Sequence, residues 1–284
     1  MIKRSIPNLF TAGNMICGVV AIILTLDGKI EYAPIFIIIA AVLDFLDGFV
    51  ARALKVDGPL GKQLDSLADM VTFGVAPGII MFELIKAKVQ SAHFLHGFYP
   101  VEIEYSYQWS KIAMENLKFY QDVQLYNMPG LSKFLPLAAF AIPFFALFRL
   151  AQFNIDERQT NSFIGVPTPA ATLFVVGISL ILANSYNNTV FGSWPTYFLW
   201  NSYLLVLLSL LIGVLMVVPV ELFSLKFKTF GWKGNEVKYI FITISVLMLA
   251  TLFCWGLPLV IVFYVMLSMM KNVGIRRQEA RGKL

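Results

Sequence analysis

Eight apolar runs, at about 9–26, 34–54, 65–85, 133–153, 168–184, 203–221, 238–254 and 257–271, set what this chain can fold into. Most approach the ~20 residues that carry a helix across ~30 Å of hydrocarbon. The alternating strand pattern of a membrane barrel is missing. With 58% hydrophobic and 14% charged residues and a mean hydropathy of +0.74, there is too little polar surface to cover a soluble globule. In lipid each backbone N–H and C=O needs a partner within the protein, which helices supply segment by segment. The expected fold is an all-α integral membrane protein of about eight transmembrane helices, one polytopic domain over 1–284.

The remaining composition mostly excludes. Cys17 and Cys254 sit inside apolar runs and read as packed thiols. No small-x-small cleavage site follows the first run, and no small residues precede Cys17, so a retained first span is expected in place of a signal peptide or lipoprotein leader. The net charge of +5 does not form a separate basic domain. Beside the spans, it suits anionic lipid and phosphate-bearing ligands better than nucleic acid.

Lysine and arginine also orient the bundle, because cytoplasmic flanks carry their excess. With both termini inside, those flanks hold Lys3, Arg4, Arg52, Lys55, Lys62, Arg149, Arg158, Lys226, Lys228, Lys233, Lys238, Lys271, Arg276, Arg277, Arg281 and Lys283. The other side keeps Lys29 and five lysines around one insertion at about 86–132, where charge counts for little. That insertion mixes charges with Tyr99, Tyr105, Tyr107, Trp109, Phe119, Tyr120 and Tyr126 and reads as an interfacial, extracytoplasmic segment. His93 and His96 within it lack the neighbouring thiols or acids of a zinc site. A catalytic core over about 1–184 and added spans over about 203–271 complete the expected organisation.

One cluster stands against the apolar background: Asp44, Asp47, Gly48, Ala51, Arg52, Gly61, Asp65 and Asp69, spaced D-x2-D-G-x2-A-R-x8-G-x3-D-x3-D. At roughly 6% usage per residue type, eight fixed positions match by chance at about 10^-10 per start. Helical steps of about 100° put Asp44, Asp47, Gly48, Ala51 and Arg52 on one face, and Asp65 and Asp69 on one face of the next helix, with Gly58-Pro59-Leu60-Gly61 reversing the chain between them. A carboxylate within a span costs about 2.5–3.5 kcal/mol, so four together require cations. Hard oxygens without His or Cys favour Mg²⁺ or Mn²⁺ over zinc. A pair of such ions can clamp a pyrophosphate during displacement at phosphorus. Gly48 and Ala51 leave a hollow for a flat nucleotide ring, Arg52 offers a forked donor to phosphate, and Asp69 is the better candidate for accepting a hydroxyl proton.

The spacing resembles the CDP-alcohol phosphatidyltransferase family, whose members move a phosphatidyl group from a CDP-linked lipid to an alcohol and release CMP. Ile6-Pro7-Asn8, Gly13-Asn14-Met15-Ile16-Cys17-Gly18 and Phe73-Gly74-Val75-Ala76-Pro77 resemble its serine-using bacterial branch. So do Arg149-Leu150-Ala151-Gln152-Phe153-Asn154 and Phe163-Ile164-Gly165-Val166-Pro167-Thr168-Pro169. The resemblance covers residues 1 to about 180 in motifs and the rest in hydropathy alone. It implies CDP-diacylglycerol and L-serine as substrates, a homodimer in the inner membrane, and a site open to the cytoplasm. It also implies two divalent ions held by Asp44, Asp47, Asp65 and Asp69, with Asp69 as base. Asn8, Asp44, Gly48, Ala51, Arg52, Gly61 and Asp65 would contact the CDP-lipid, and Arg149, Asn154 and Thr168 the acceptor headgroup.

Alternatives stay open at the acceptor. Arg149 can pair with a serine carboxylate or snorkel from a helix end, and Gly165–Pro169 can line a pocket or break the helix. Gln152 stands where relatives often carry a basic residue. A glycerol-phosphate acceptor, as in phosphatidylglycerophosphate synthase, is the near rival. Cation transport is the distant one, disfavoured because the acids lie at helix ends instead of on broken mid-membrane helices.

Overall fold

The computed structural model describes residues 2–56, 58–98, 130–155, 162–183, 198–223, 231–232 and 235–281. Five described stretches are long and apolar enough to cross a membrane: Ser5–Leu26, Ala33–Leu54, Pro59–Gln90, Gly130–Ile155 and Glu236–Lys271. Thr168–Ala183 and Ser202–Val217 are shorter apolar helices. The bundle is an all-α membrane fold.

Helices α1 (Ile2–Leu26) and α2 (Ala33–Leu54) pair across a tight turn. α1 stops where Gly28 takes φ +74°, which lets its N–H and that of Lys29 bond back to the Thr25 and Leu24 carbonyls at 3.1 and 2.8 Å. Pro34 opens α2 in the first turn, where its missing N–H has no partner to lose. α2 ends on a left-handed Lys55, φ 53°, and Pro59 opens α3 (Pro59–Asp69) directly after an extended Gly58. Gly58–Gly61 therefore do not form the expected reversal: α2 has ended by Lys55, Gly58 caps α3, and Pro59–Gly61 already form its first turn. The third span accordingly starts before residue 65.

α3 runs through a π-helical segment, Met70–Val75, into α4 (Ala76–Phe98) as one rod. This rod is the bundle's axis: 67% of its most apolar part is buried, against 17% to 28% in the other four long stretches. Ile80, Met81, Leu84 and Ile85 of α4 form the centre of the core with Ile142, Val175, Ile178 and Leu205. The widened turns are anchored from both sides. Thr72 donates its hydroxyl to the Asn14 carbonyl of α1 at 3.1 Å, and Thr172 donates to the Phe73 carbonyl at 2.9 Å. Gly18 permits the first contact, because a Cβ there would sit 2.9 Å from the Thr72 Cα.

α4 continues into the region expected to be insertion, through residues 93 and 96, and the expected aromatic segment from 99 to 129 lies outside the described residues. Within α4 a buried acid is paired: Glu83 and Lys86, one turn apart, meet at 3.0 Å with side chains 5% and 15% exposed. A 3₁₀ stretch, Gly130–Phe140, then leads into α5 (Ala141–Ile155). Pro143 packs on Gly78 so closely that a Cβ at 78 would lie 2.7 Å from its ring.

Strand β1 (Ser162–Ile164) pairs antiparallel with β2 (Glu221–Phe223), a small ribbon that hydropathy does not announce. It leads into α6 (Thr168–Ala183) and follows α7 (Ser202–Val217), which ends at Val218 before Pro219. Gly165, φ +75°, bonds to Val220 at 2.9 Å, and any Cβ on it would run into the Met216 carbonyl.

The long stretch Glu236–Lys271 is a hairpin of α8 (Glu236–Leu252) and α9 (Gly256–Arg281), broken at Phe253 with φ 49°. Phe241 meets Phe263 and Tyr264 with ring centroids at 5.9 and 5.4 Å, whereas a straight helix would hold them about 33 Å apart. Eight apolar helical arms result among the described residues, with Phe45, Phe144 and Leu247 among the large side chains turned outward to lipid.

Candidate active site

α1 packs against both α2 and α3, and the acids of those two helices come together beside it. One ligand oxygen from each of Asp44, Asp47 and Asp65 lies within 4.8 Å of the others. Asp69, one turn further along α3, stands outside that trio but lies against Asp44. Among the described residues no lysine or arginine forms a salt bridge with any of the four. Arg52 lies within electrostatic reach of Asp47. Acids this close at a membrane boundary repel one another, and their all-oxygen donor set suits a hard divalent cation. Asp44, Asp47 and Asp65 can hold one.

A cavity of about 860 Å³ opens beside the acids, within the range of small-molecule sites. Asn8, Asp47, Gly48, Ala51, Gly61 and Asp65 line it. The Arg52 guanidinium lies over Gly48, where a Cβ would stand 3.4 Å from Nη1, and Asn8 Oδ1 would be 3.7 Å from a Cβ on Gly61. The small residues thus keep both the cavity and the approach of these polar side chains open. Of the residues expected to contact the CDP-lipid, Asn8, Asp47, Gly48, Ala51, Gly61 and Asp65 line the wall, Asp44 joins Asp47 and Asp65, and Arg52 lies against Gly48 without lining the cavity.

The expected headgroup residues are placed less uniformly. Asn154 reaches α3, donating from Nδ2 to the Ser66 hydroxyl at 2.8 Å and accepting from Lys62 Nζ at its carbonyl at 3.0 Å. Arg149 is 4% exposed, with its guanidinium 5.6 Å from the Phe153 ring centre. Thr168 is buried and its carbonyl accepts from Thr172 at 2.9 Å. Gly165 bonds to Val220 and Val166 to Leu215 of α7, and Thr168 and Pro169 already open α6, so the Gly165–Pro169 stretch joins the strand to that helix.

Four side chains at the site carried no functional expectation. Lys62 lines the cavity and Ser66 receives Asn154. On α1, Thr11 donates to Asp47 Oδ2 at 2.6 Å, and Asn14 Nδ2 donates to Asp69 Oδ1 at 3.2 Å. The signal was available: Asn8, Thr11 and Asn14 recur every third residue through an otherwise apolar run, a polar stripe on one helical face.

A model of the CDP-alcohol phosphatidyltransferase family matches residues 4–100, which contain all four acids. CDP-diacylglycerol--serine O-phosphatidyltransferase of Bacillus subtilis is 32% identical over 182 residues, 64% of this chain and 77% of its own length. The enzyme of that name from Helicobacter pylori (strain ATCC 700392 / 26695) is 32% identical over 213 residues, 74% of this chain and 68% of its own. An archaetidylserine synthase of Methanothermobacter thermautotrophicus is 38% identical over 81 residues, 28% of this chain and 34% of its own. Likeness sustained over such lengths, together with acids and cavity in one place, makes this chain a member of the CDP-alcohol phosphatidyltransferase family and a membrane-embedded transferase.

Proposed function

We propose that the chain transfers the phosphatidyl group of CDP-diacylglycerol to the hydroxyl of L-serine, giving phosphatidylserine and CMP. The observation that carries this reading is the acid trio opening onto a cavity walled by Gly48, Ala51 and Gly61. The names of the Bacillus and Helicobacter relatives support serine as the acceptor.

In this reading, Asn8, Gly48, Ala51 and Gly61 hold the cytidine end, and Arg52 with its forked donors pairs with phosphate. Two divalent ions, Mg²⁺ or Mn²⁺, would be held by Asp44, Asp47, Asp65 and Asp69 and supply charge neutralisation at the pyrophosphate. The serine oxygen forms a bond to the lipid-side phosphorus as the phosphorus–oxygen bond to CMP breaks. Asp69 takes the hydroxyl proton, and CMP leaves with the electron pair of the broken bond. The lysine and arginine distribution supports a cytoplasmic opening with both termini inside, in the inner membrane, and the family resemblance supports a homodimer.

The test offers detergent-purified protein labelled CDP-diacylglycerol with serine, glycerol phosphate or inositol phosphate, each with Mg²⁺, Mn²⁺ or chelator. Serine-dependent CMP release and labelled phosphatidylserine are expected, abolished by chelator and restored by one of the two ions. A product formed from glycerol phosphate without serine would assign the other acceptor. No CMP release under any condition would return the acids to a transport role.

A further inference from the structure

We propose that Thr11 and Asn14 of α1 are positioning residues of this transferase, each fixing one carboxylate of an opposing acid pair with a neutral donor. The inference rests on the metal and base roles proposed above. The two side chains lie three residues apart on one face of α1, yet their targets belong to different helices: Thr11 holds Asp47 of α2 at 2.6 Å and Asn14 holds Asp69 of α3 at 3.2 Å. Both are buried, Thr11 at 6% exposed and Asn14 at 0%. A lysine or arginine in either place would orient the carboxylate equally well but would also compete with a divalent ion for its charge. A hydroxyl and an amide orient without neutralising.

Asn14 carries the second observation. With its amide nitrogen on Asp69, its Oδ1 is buried and has no hydrogen-bond partner. Turning the amide over would set oxygen against carboxylate oxygen, so the orientation is fixed by Asp69. A leucine of similar size would fill the space without burying an unsatisfied acceptor. The side chain also has a fixed mount, because the Asn14 carbonyl accepts from Thr72 just past Asp69, and Gly18 lets the two elements touch there. α1 is therefore the third wall of the acid site, and packing alone does not account for its polar stripe.

The test uses full-length detergent-purified protein, with Mn²⁺ binding followed by electron paramagnetic resonance beside steady-state kinetics and melting curves. Thr11→Val is expected to weaken Mn²⁺ binding about 10-fold, with Thr11→Ser restoring it. Asn14→Leu is expected to lower kcat about 10- to 100-fold while both KM values stay near wild type, and to loosen no Mn²⁺ ion other than the one Asp69 helps to hold. Should Asn14→Leu fail to fold, Asn14→Ala carries the same readout. Wild-type Mn²⁺ affinity and kcat in these variants, or losses that merely follow the melting temperature, overturn the proposal. A wild-type protein that binds no Mn²⁺ overturns the metal reading and the Thr11 half with it, while the kcat of Asn14→Leu still decides the Asn14 half.

Discussion

Asp69 differs from the other three acids in its company: it lies against Asp44 and is held by Asn14, outside the trio within 4.8 Å. Asp69→Asn keeps the shape and the Asn14 contact but removes the proton acceptor. CMP release should fall by about 10²- to 10⁴-fold, with competition by unlabelled CDP-lipid showing binding largely retained. Near-normal turnover in that variant would remove Asp69 as base. Gly48→Leu should act the other way, driving a side chain into Arg52 and the cavity, so KM for CDP-lipid rises severalfold in initial-rate measurements while Mn²⁺ binding persists. At this scale the sequence was informative wherever chemistry demanded a rare residue type in lipid. Four aspartates at helical spacing are hard to misread. Thr11 and Asn14 were harder, since threonine and asparagine in a span are ordinary enough to pass as packing.

Elements came out of the sequence in proportion to their hydropathy. The α8–α9 break follows from two separate apolar runs, whereas the expected run 203–221 overshoots α7, which stops at Val217 ahead of Pro219, and the β1–β2 ribbon is three residues on each side with no periodicity to detect. The ribbon has its own consequence at Gly165. Gly165→Ala places a side chain at φ +75° and against the Met216 carbonyl. The left-handed conformation alone costs about 1–2 kcal/mol, so the thermal melting point in detergent should drop and activity should fail at a lower temperature than in the parent. An unchanged melting curve would mean that the ribbon does not hold α6 and α7 together.

Across the whole molecule, composition and hydropathy were sufficient for an all-α membrane bundle, because lipid leaves few solutions to a chain this apolar. They could not indicate which arm lies at the centre. That depends on which faces find partners, and the rod from Pro59 to Gln90 is the one two-thirds enclosed. The orientation is testable at the same scale. Fluorescent or protease-sensitive tags on both termini should be reached from the cytoplasmic face of oriented vesicles and protected on the other, and tags at opposite faces would invalidate the charge argument.

The π segment at Met70–Val75 joins two demands that an unbroken α-helix would set against each other. Upstream, the rod must bring Asp65 and Asp69 to the acids of α2; downstream, it must turn Ala76, Ile80, Met81 and Leu84 inward. Excising any single residue from 70–75 would tighten the wide turn and rotate one half of the rod by about 100° against the other. Such a deletion mutant must choose between a folded interior and a working set of acids, which makes this short stretch the phase-setter of the enzyme, where length matters as much as the buried side chains of Thr72 and Phe73.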